Sequence, residues 1–420
     1  MTGETPTQPE PGTDADGSGE ELRRLLLELG SELLAGGLPV NDVEGALRHL
    51  GVALGRPDVA VAALPTGLFV TLEKAGDAGF QPTGNPLRFE QTAEILELGQ
   101  RVRVGRLSIG DALRDLKRIR RSPARWPAWV SDLGAVPIGV GLCVLLQPAL
   151  PNIAAAAAGS LIVAGLTTVA RHWTGFRPLL PVTAAFIVSF VMLLAVQASI
   201  LGGALRTIVA VLAILLPGSL LVTGLSEIAA GAISAGSARL LGGSVQLVLF
   251  VTGVLTAAVL LHAPPTDLAN TYVTHASWWT MVVGVAITLA GIIVWFSTPL
   301  SATPYIVVVA GLTAGVQLTV QSMYGAATGG LLGAVVAAIA ATIAHALPNA
   351  PVWQVIYLPA FWVLVPGSFG LMNATQMHSG DGLHDLATAG SAVLAVAIGT
   401  LIGSLISRLP LARHRGARFL

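Results

Sequence analysis

The chain is 420 residues long, 53% hydrophobic and 11% charged, with 23 basic residues balancing 23 acidic ones. A net charge of zero argues against a basic nucleic-acid face, and a single cysteine, Cys143, excludes a disulfide framework and a thiolate metal cluster. From residue 240 to residue 407 there is no Lys or Arg; a surface of that extent would not stay solvated without charge, so most of the chain belongs in lipid.

Residues 1–19 are polar, acidic and rich in Pro and Gly. They lack the basic start and apolar core of a signal peptide and read as a disordered tail. Residues 20–125 read as a small α+β domain. Leu22, Leu25, Leu26, Leu29 and Leu33 recur at helical spacing and Gly36-Gly37 ends that helix. Asn41, with Glu44 three residues on, reads as a capping box for a second helix whose stripe is Val43, Leu47, Leu50 and Leu54. Residues 58–63 and 68–72 alternate like strands. Ser108 and Asp111 repeat the cap signal before Ala112, Leu113 and Leu116. The domain has one histidine, His49, no phosphate-binding Gly loop and no HExxH. Its scattered charges read as a solvated surface rather than a catalytic site. No enzyme activity, catalytic residue or cofactor is expected.

Trp126 opens the membrane part, after the basic run KRIRRSPAR. Apolar segments near 128–147, 150–170, 178–201, 206–225, 240–262, 278–297, 303–322, 325–347, 352–373 and 385–407 give about ten spans of bilayer length. With the front domain inside, the inside loops hold Arg171, Arg177 and Arg239, and the basic tail 408–420 holds Arg408, Arg413, Arg415 and Arg418, against Arg206 alone outside. Both termini are then cytosolic in a multi-pass protein of the bacterial cytoplasmic membrane.

Two of these segments carry the same interruption. ILLPGSLLVTGLSE starts at Ile214 and VLVPGSFGLMNATQ at Val363. Aligned without a gap, Pro217-Gly218-Ser219 meets Pro366-Gly367-Ser368, and Ser226-Glu227 meets Thr375-Gln376. The breaks fall in spans four and nine, each the fourth of five. Five is odd, so halves 126–262 and 278–407 run in opposite senses, as an inverted repeat whose interrupted helices meet near the midplane. Proline removes an N–H and clashes one turn back, so the freed backbone groups need partners or a wet cavity. A half-helix N-terminus there suits a carboxylate, and Ser219 and Ser368 would cap it or touch ligand. The bland reading is a packing kink; the recurrence in corresponding spans favours a site.

Glu227 is the acid nearest the first break. At membrane depth it would titrate and couple protons; in an inside loop it would simply pair with Arg239. Its counterpart Gln376 is uncharged. Asp132, near the start of span one, is a second candidate for charge pairing or proton coupling, with interfacial helix capping as the plainer role. Gln197, Gln246, Gln317, Gln321 and Gln354 read first as helix–helix hydrogen bonders. Gly329, Gly333, Ala337 and Ala341, and Gly399 with Gly403, read as close-packing stripes. His378, Asp381, His384 and Asp385 in HSGDGLHD lack recurrent ligand spacing and read as a solvated turn, so no metal is expected.

GGLPVNDVEGAL, SIGDALRDLKRIRR, the ten spans and the two PGS breaks together resemble the bacterial threonine/serine exporter family, over residues 20–407. LLPGSLLVTGLSEIAAGAISAGSARL is similar to its first-half signature, on which Pro217, Gly218, Glu227, Gly231 and Arg239 fall at matching positions; LPAFWVLVPGSFG is similar to its second-half counterpart. The resemblance implies a cytosolic front domain, two five-span halves, and export of small hydroxylated amino acids driven by the proton gradient. Split-subunit relatives imply an alternative, export of small dicarboxylates. A third reading is a non-transporting membrane sensor with a cytosolic output domain. The expected partners are an amino-acid substrate, protons and the lipid bilayer, with a homo-oligomer compatible and no nucleic acid.

Overall fold

The structure is a computed structural model that describes residues 13–73, 77–268, 278–347, 350–364 and 382–407. The chain forms two compact units, with the main divide between Ser122 and Pro123.

The first unit starts with helix α1 (Thr13–Ala35), whose first residues lie inside the stretch expected as tail. Leu22, Leu25, Leu26, Leu29 and Leu33 are all buried, as their spacing predicts. Gly37 ends the helix in the left-handed region, at φ +83°. Helix α2 (Val40–Ala53) departs from expectation, because Pro39 and not Asn41 occupies its N-cap. Proline fixes φ near the required value and has no N–H to lose. Glu44 is thereby free of capping and accepts the Ala63 N–H at 2.9 Å, tying the helix to the sheet.

Strands β1 (Ala60–Leu64), β2 (Gly67–Thr71) and β3 (Gly79–Pro82) form an antiparallel sheet in that order. Leu64 pairs with Gly67 across a two-residue turn. Val61, Ala63, Leu68 and Val70 are buried, while Phe69 and Phe80 lie exposed with their rings 4.8 Å apart. The sequence reading missed β3, which has no buried apolar set to signal it. Helix α3 (Phe89–Arg103) follows, with Ile95, Leu96, Leu98 and Val102 buried. Helix α4 (Ile109–Arg121) starts where the cap signal placed it: Ser108 Oγ accepts the Asp111 N–H at 3.1 Å and donates to its carboxylate at 2.6 Å.

The second unit is helical throughout its described residues. In chain order come α5 (Ala128–Leu133), α6 (Ala135–Leu146), α7 (Leu150–His172), α8 (Leu180–Gln197), α9 (Leu205–Leu212), α10 (Gly218–Ala229), α11 (Ile233–Leu260), α12 (Trp278–Trp295), α13 (Thr303–Tyr324), α14 (Ala326–His345), α15 (Trp353–Val363) and α16 (Gly382–Ser407). Among the described residues 7 helical stretches are long and apolar enough to cross a bilayer, or 8 when the bent pair α9–α10 counts as one. The fifth stretch begins at Ile233 rather than near 240, so Arg239 lies within a helix and not in a loop.

Helix pairing is dense. Helix α6 packs on α7, α9 and α12; α8 on α11; α10 on α11 and α16; α13 on α14 and α15; α14 on α15 and α16. Small residues make this possible. Gly399 lies against the backbone carbonyl of Leu331, and a Cβ on Gly403 would stand 3.0 Å from that of Val335, so α14 and α16 meet backbone to backbone as the stripes predict. The crossing of α6 and α12 is antiparallel and has internal symmetry. A Cβ on Gly141 would stand 2.7 Å from the Gly284 carbonyl, and one on Gly284 would stand 2.9 Å from the Gly141 carbonyl. One turn pair away, a Cβ on Gly291 would stand 2.9 Å from the Gly134 carbonyl, and one on Gly134 would stand 2.7 Å from the Trp295 N–H.

Candidate functional site

The first Pro-Gly-Ser stretch does break its span. All eight residues of α9 are buried, and a 3-10 turn, Ala213–Leu215, tightens its end. Leu216 is extended, at φ −67° and ψ 141°, and α10 leaves at 64° to the preceding segment. Pro217 is the N-cap of α10, without a side-chain cap. Ser219 therefore lies in the first turn and does not cap it, contrary to one expected role. The opening N–H groups of α10, at Gly218, Ser219 and Leu220, have no acceptor within the helix and carry its positive dipole end. On the other limb the extended Leu216 keeps the Leu215 carbonyl out of the helical ladder, and the Gln246 side chain on α11 donates to it at 3.0 Å.

Glu227 is fully buried near the end of α10. The Arg239 Nε stands 3.1 Å from both carboxylate oxygens. Glu227 thus pairs with Arg239, and both lie on helices rather than in a loop. The geometry follows from the hairpin. Gly231, at φ +91°, turns the chain, and the Ala232 N–H closes on the Glu227 carbonyl at 2.8 Å. A Cβ on Gly224 would stand 2.8 Å from the Gly236 carbonyl, so the two helices run close enough for the side chains to meet across 12 positions. A buried ion pair needs such fixed geometry to offset its desolvation.

Asp132, on α5, is also buried, and its partners are Arg171 and Thr168 on α7, the latter donating at 2.8 Å. It ties the first helices together and does not join Glu227 and Arg239 in one ion pair. Arg206, expected in an outside loop, is instead buried at the start of α9, where it donates to the Leu146 carbonyl at the end of α6 at 3.2 Å. Beside it Asn152 donates to Thr207 at 2.8 Å and to the Gly203 carbonyl at 3.0 Å.

Pro366, Gly367, Ser368 and Gln376 lie outside the described residues, as do His378 and Asp381. The approach to the second break is described through Leu364. Helix α15 ends with the Leu364 N–H on the Phe361 carbonyl, and the Leu364 carbonyl accepts from the Gln317 side chain on α13 at 3.3 Å. Leu215 and Leu364 occupy the same place, two residues before the proline, in the gapless alignment. A glutamine, half-buried at Gln246 and buried at Gln317, therefore meets the carbonyl two residues before each proline. Sequence reading named Gln246 and Gln317 but had no means to say which carbonyl either one meets. The paired glycines at 134, 141, 284 and 291 were missed; their signal was the shared seven-residue spacing.

Residues 24–261 match the model of the ThrE family, described as "Putative threonine/serine exporter". No curated protein and no solved structure matches the chain.

Proposed function

The chain belongs to the ThrE family of transport proteins, and from that premise we propose that it exports threonine and serine across the bacterial cytoplasmic membrane, driven by the proton gradient. The observation that carries this reading is the broken span Leu205–Ala229, bent by 64° between an extended Leu216 and the bare N-terminus of α10. Such a break supplies an N–H cluster for the carboxylate of an amino acid and carbonyls for its ammonium group. Pro217, Gly218 and Ser219 line it in the first half, and Pro366, Gly367, Ser368 and Gln376 stand for them in the second.

The proposal includes about ten spans in two inverted five-helix halves, a cytosolic α+β front domain and cytosolic termini. Three features support the inverted halves. The contacts of Gly134 with the second helix and Gly141 with Gly284 interchange when each residue is replaced by its partner 150 positions away, 134 by 284 and 141 by 291. A two-fold axis through an antiparallel crossing has that property, as in any isologous contact. The pairings α8 on α11 and α7 on α9 recur as α14 on α16 and α13 on α15. The matched carbonyls of Leu215 and Leu364 are the third.

The zwitterion is favoured over the dicarboxylate. A second carboxylate needs a cation, and the two candidates are engaged, Arg206 with the Leu146 carbonyl and Arg239 with Glu227. Proton coupling is assigned to Glu227: a proton on its carboxyl removes the charge that holds Arg239, freeing α10 to move against α11. Asp132, held by Arg171, is left as a structural charge.

Efflux of threonine and serine from cells preloaded with their dipeptides tests the reading. The wild type exports both, the double variant Pro217→Ala with Pro366→Ala does not, and Glu227→Gln loses its dependence on the gradient. Unchanged efflux in the double proline variant removes the breaks from the mechanism.

A further inference from the structure

We propose that Gln246 is a positioning residue that holds the first break in its bent form, that Gln317 fixes the described end of α15 at Leu364 by the same contact, and that the transport site assigned above is built on the backbone geometry Gln246 fixes. The inference rests on that assignment for its transport consequence but not for its structural one.

The first break orphans a backbone carbonyl. In an unbroken helix the carbonyl of residue 215 would accept from the N–H four residues on. Leu216 turns extended and α10 departs at 64°, so that acceptor is lost to the helix. In an apolar interior an unsatisfied carbonyl is costly and pulls the chain back towards a bonded form. Gln246 donates to it at 3.0 Å. The second half has the same acceptor, Leu364, and a glutamine on it at 3.3 Å.

The donors are not themselves repeat mates. Gln246 is on α11, the fifth helix of the first half, whereas Gln317 is on α13, the second helix of the other half. Shifted by the 150 positions that relate the glycines, Gln246 meets Val396, and Thr167 is the residue that meets Gln317. Simple duplication would not put an amide on the same carbonyl from two different helices. What the two share is the acceptor, the carbonyl two residues before each proline. Gly333 supports this in the second half: a Cβ there would stand 2.7 Å from Leu364 and 3.1 Å from Gln317, so α14 is kept small where the amide reaches across.

The test uses the full-length protein with Gln246→Met and Gln317→Met, which keep side-chain length and lose the donor. Backbone hydrogen exchange and transport are both read. Loss of protection at Leu216 and Leu221, whose N–H groups close on the Ala213 and Pro217 carbonyls, in Gln246→Met, and at Leu364 in Gln317→Met, with the rest of the chain unchanged, is the expected result. Wild-type protection in both variants overturns the proposal. In the efflux assay the half-saturating threonine concentration is expected to rise about tenfold, with the maximal rate changed less than about twofold, since a binding geometry is lost and not a moving part. Loss of protection with unchanged efflux keeps the clamp and overturns the transport site built on it. A wild type that exports neither amino acid overturns the substrate assignment and leaves the exchange result standing.

Discussion

The broken span at Pro217 and the described approach to the second Pro-Gly-Ser share a glutamine contact and differ in what surrounds it. Ahead of each proline a helix ends tightly and a glutamine takes the carbonyl two residues before the break. Beyond that the first is furnished with charge, the buried pair Glu227–Arg239 on α10 and α11. The described part of the second is aromatic: Trp353 stacks on Tyr357 at 4.4 Å, and the Tyr357 hydroxyl meets Thr400 at 2.8 Å. Under the proposed duplication the scaffold needs matched packing, which the α6–α12 glycines supply, whereas its chemistry needs no such match.

The strongest way to break this contrast is at the ion pair. Removing one partner leaves a buried charge, so Glu227→Gln or Arg239→Met is expected to cost about 3–5 kcal/mol of stability. The double variant should recover much of that loss. Melting in detergent checks both, and a loss in the double variant equal to the sum of the two single losses would mean that the two side chains do not depend on each other.

The glycine crossing sharpens the shared side of the comparison. Gly141→Leu and Gly284→Leu each drive a side chain into the other's backbone, and each should destabilise by about 1–3 kcal/mol. The two effects should be alike, because each glycine faces the other's carbonyl. Gly165→Leu, where nothing lies within 4 Å, should stay within about 0.5 kcal/mol of wild type. The two-fold exchanges Gly141 with Gly291, so a large difference between Gly141→Leu and Gly291→Leu would remove it.

The first unit offers the smallest effect. Ser108→Ala removes the cap of α4 and should cost about 1 kcal/mol by thermal melting. The Ser108 hydroxyl, and then Arg114, hold the Asp111 carboxyl below its usual range. A depressed carboxyl contributes above its ordinary pKa and loses that contribution as pH falls towards its folded value. Asp111→Asn should therefore lower the stability of this unit at neutral pH and converge on wild type as pH falls through the folded value of the carboxyl, leaving a flatter acid limb.

How much of this was legible in the sequence depends on whether a residue's partner is near in the chain. The leucine stripe of α1 and the Ser108 cap follow from local periodicity and were readable. So was the break at Pro217, because proline acts on its own backbone. The start of α2 was misread since Pro39, two residues before the pattern considered, outcompeted Asn41. Strand β3 has no inward apolar set and gave no signal. Asp132 with Arg171, and Glu227 with Arg239, were visible as charges; that each finds its partner inside the bundle depends on how the helices fold back. The roles of Gln246 and Gln317 are set by acceptors 31 and 47 positions away, and no spacing rule reaches that far.

The central claim, that the two membrane halves run in opposite senses, has one direct measurement. In a Cys143→Ser background, Thr174→Cys and Tyr324→Cys place single thiols on exposed residues after the second helix of each half. The account predicts that a membrane-impermeant maleimide labels position 324 in intact cells and position 174 only after permeabilisation. Labelling of both from the same side would contradict it.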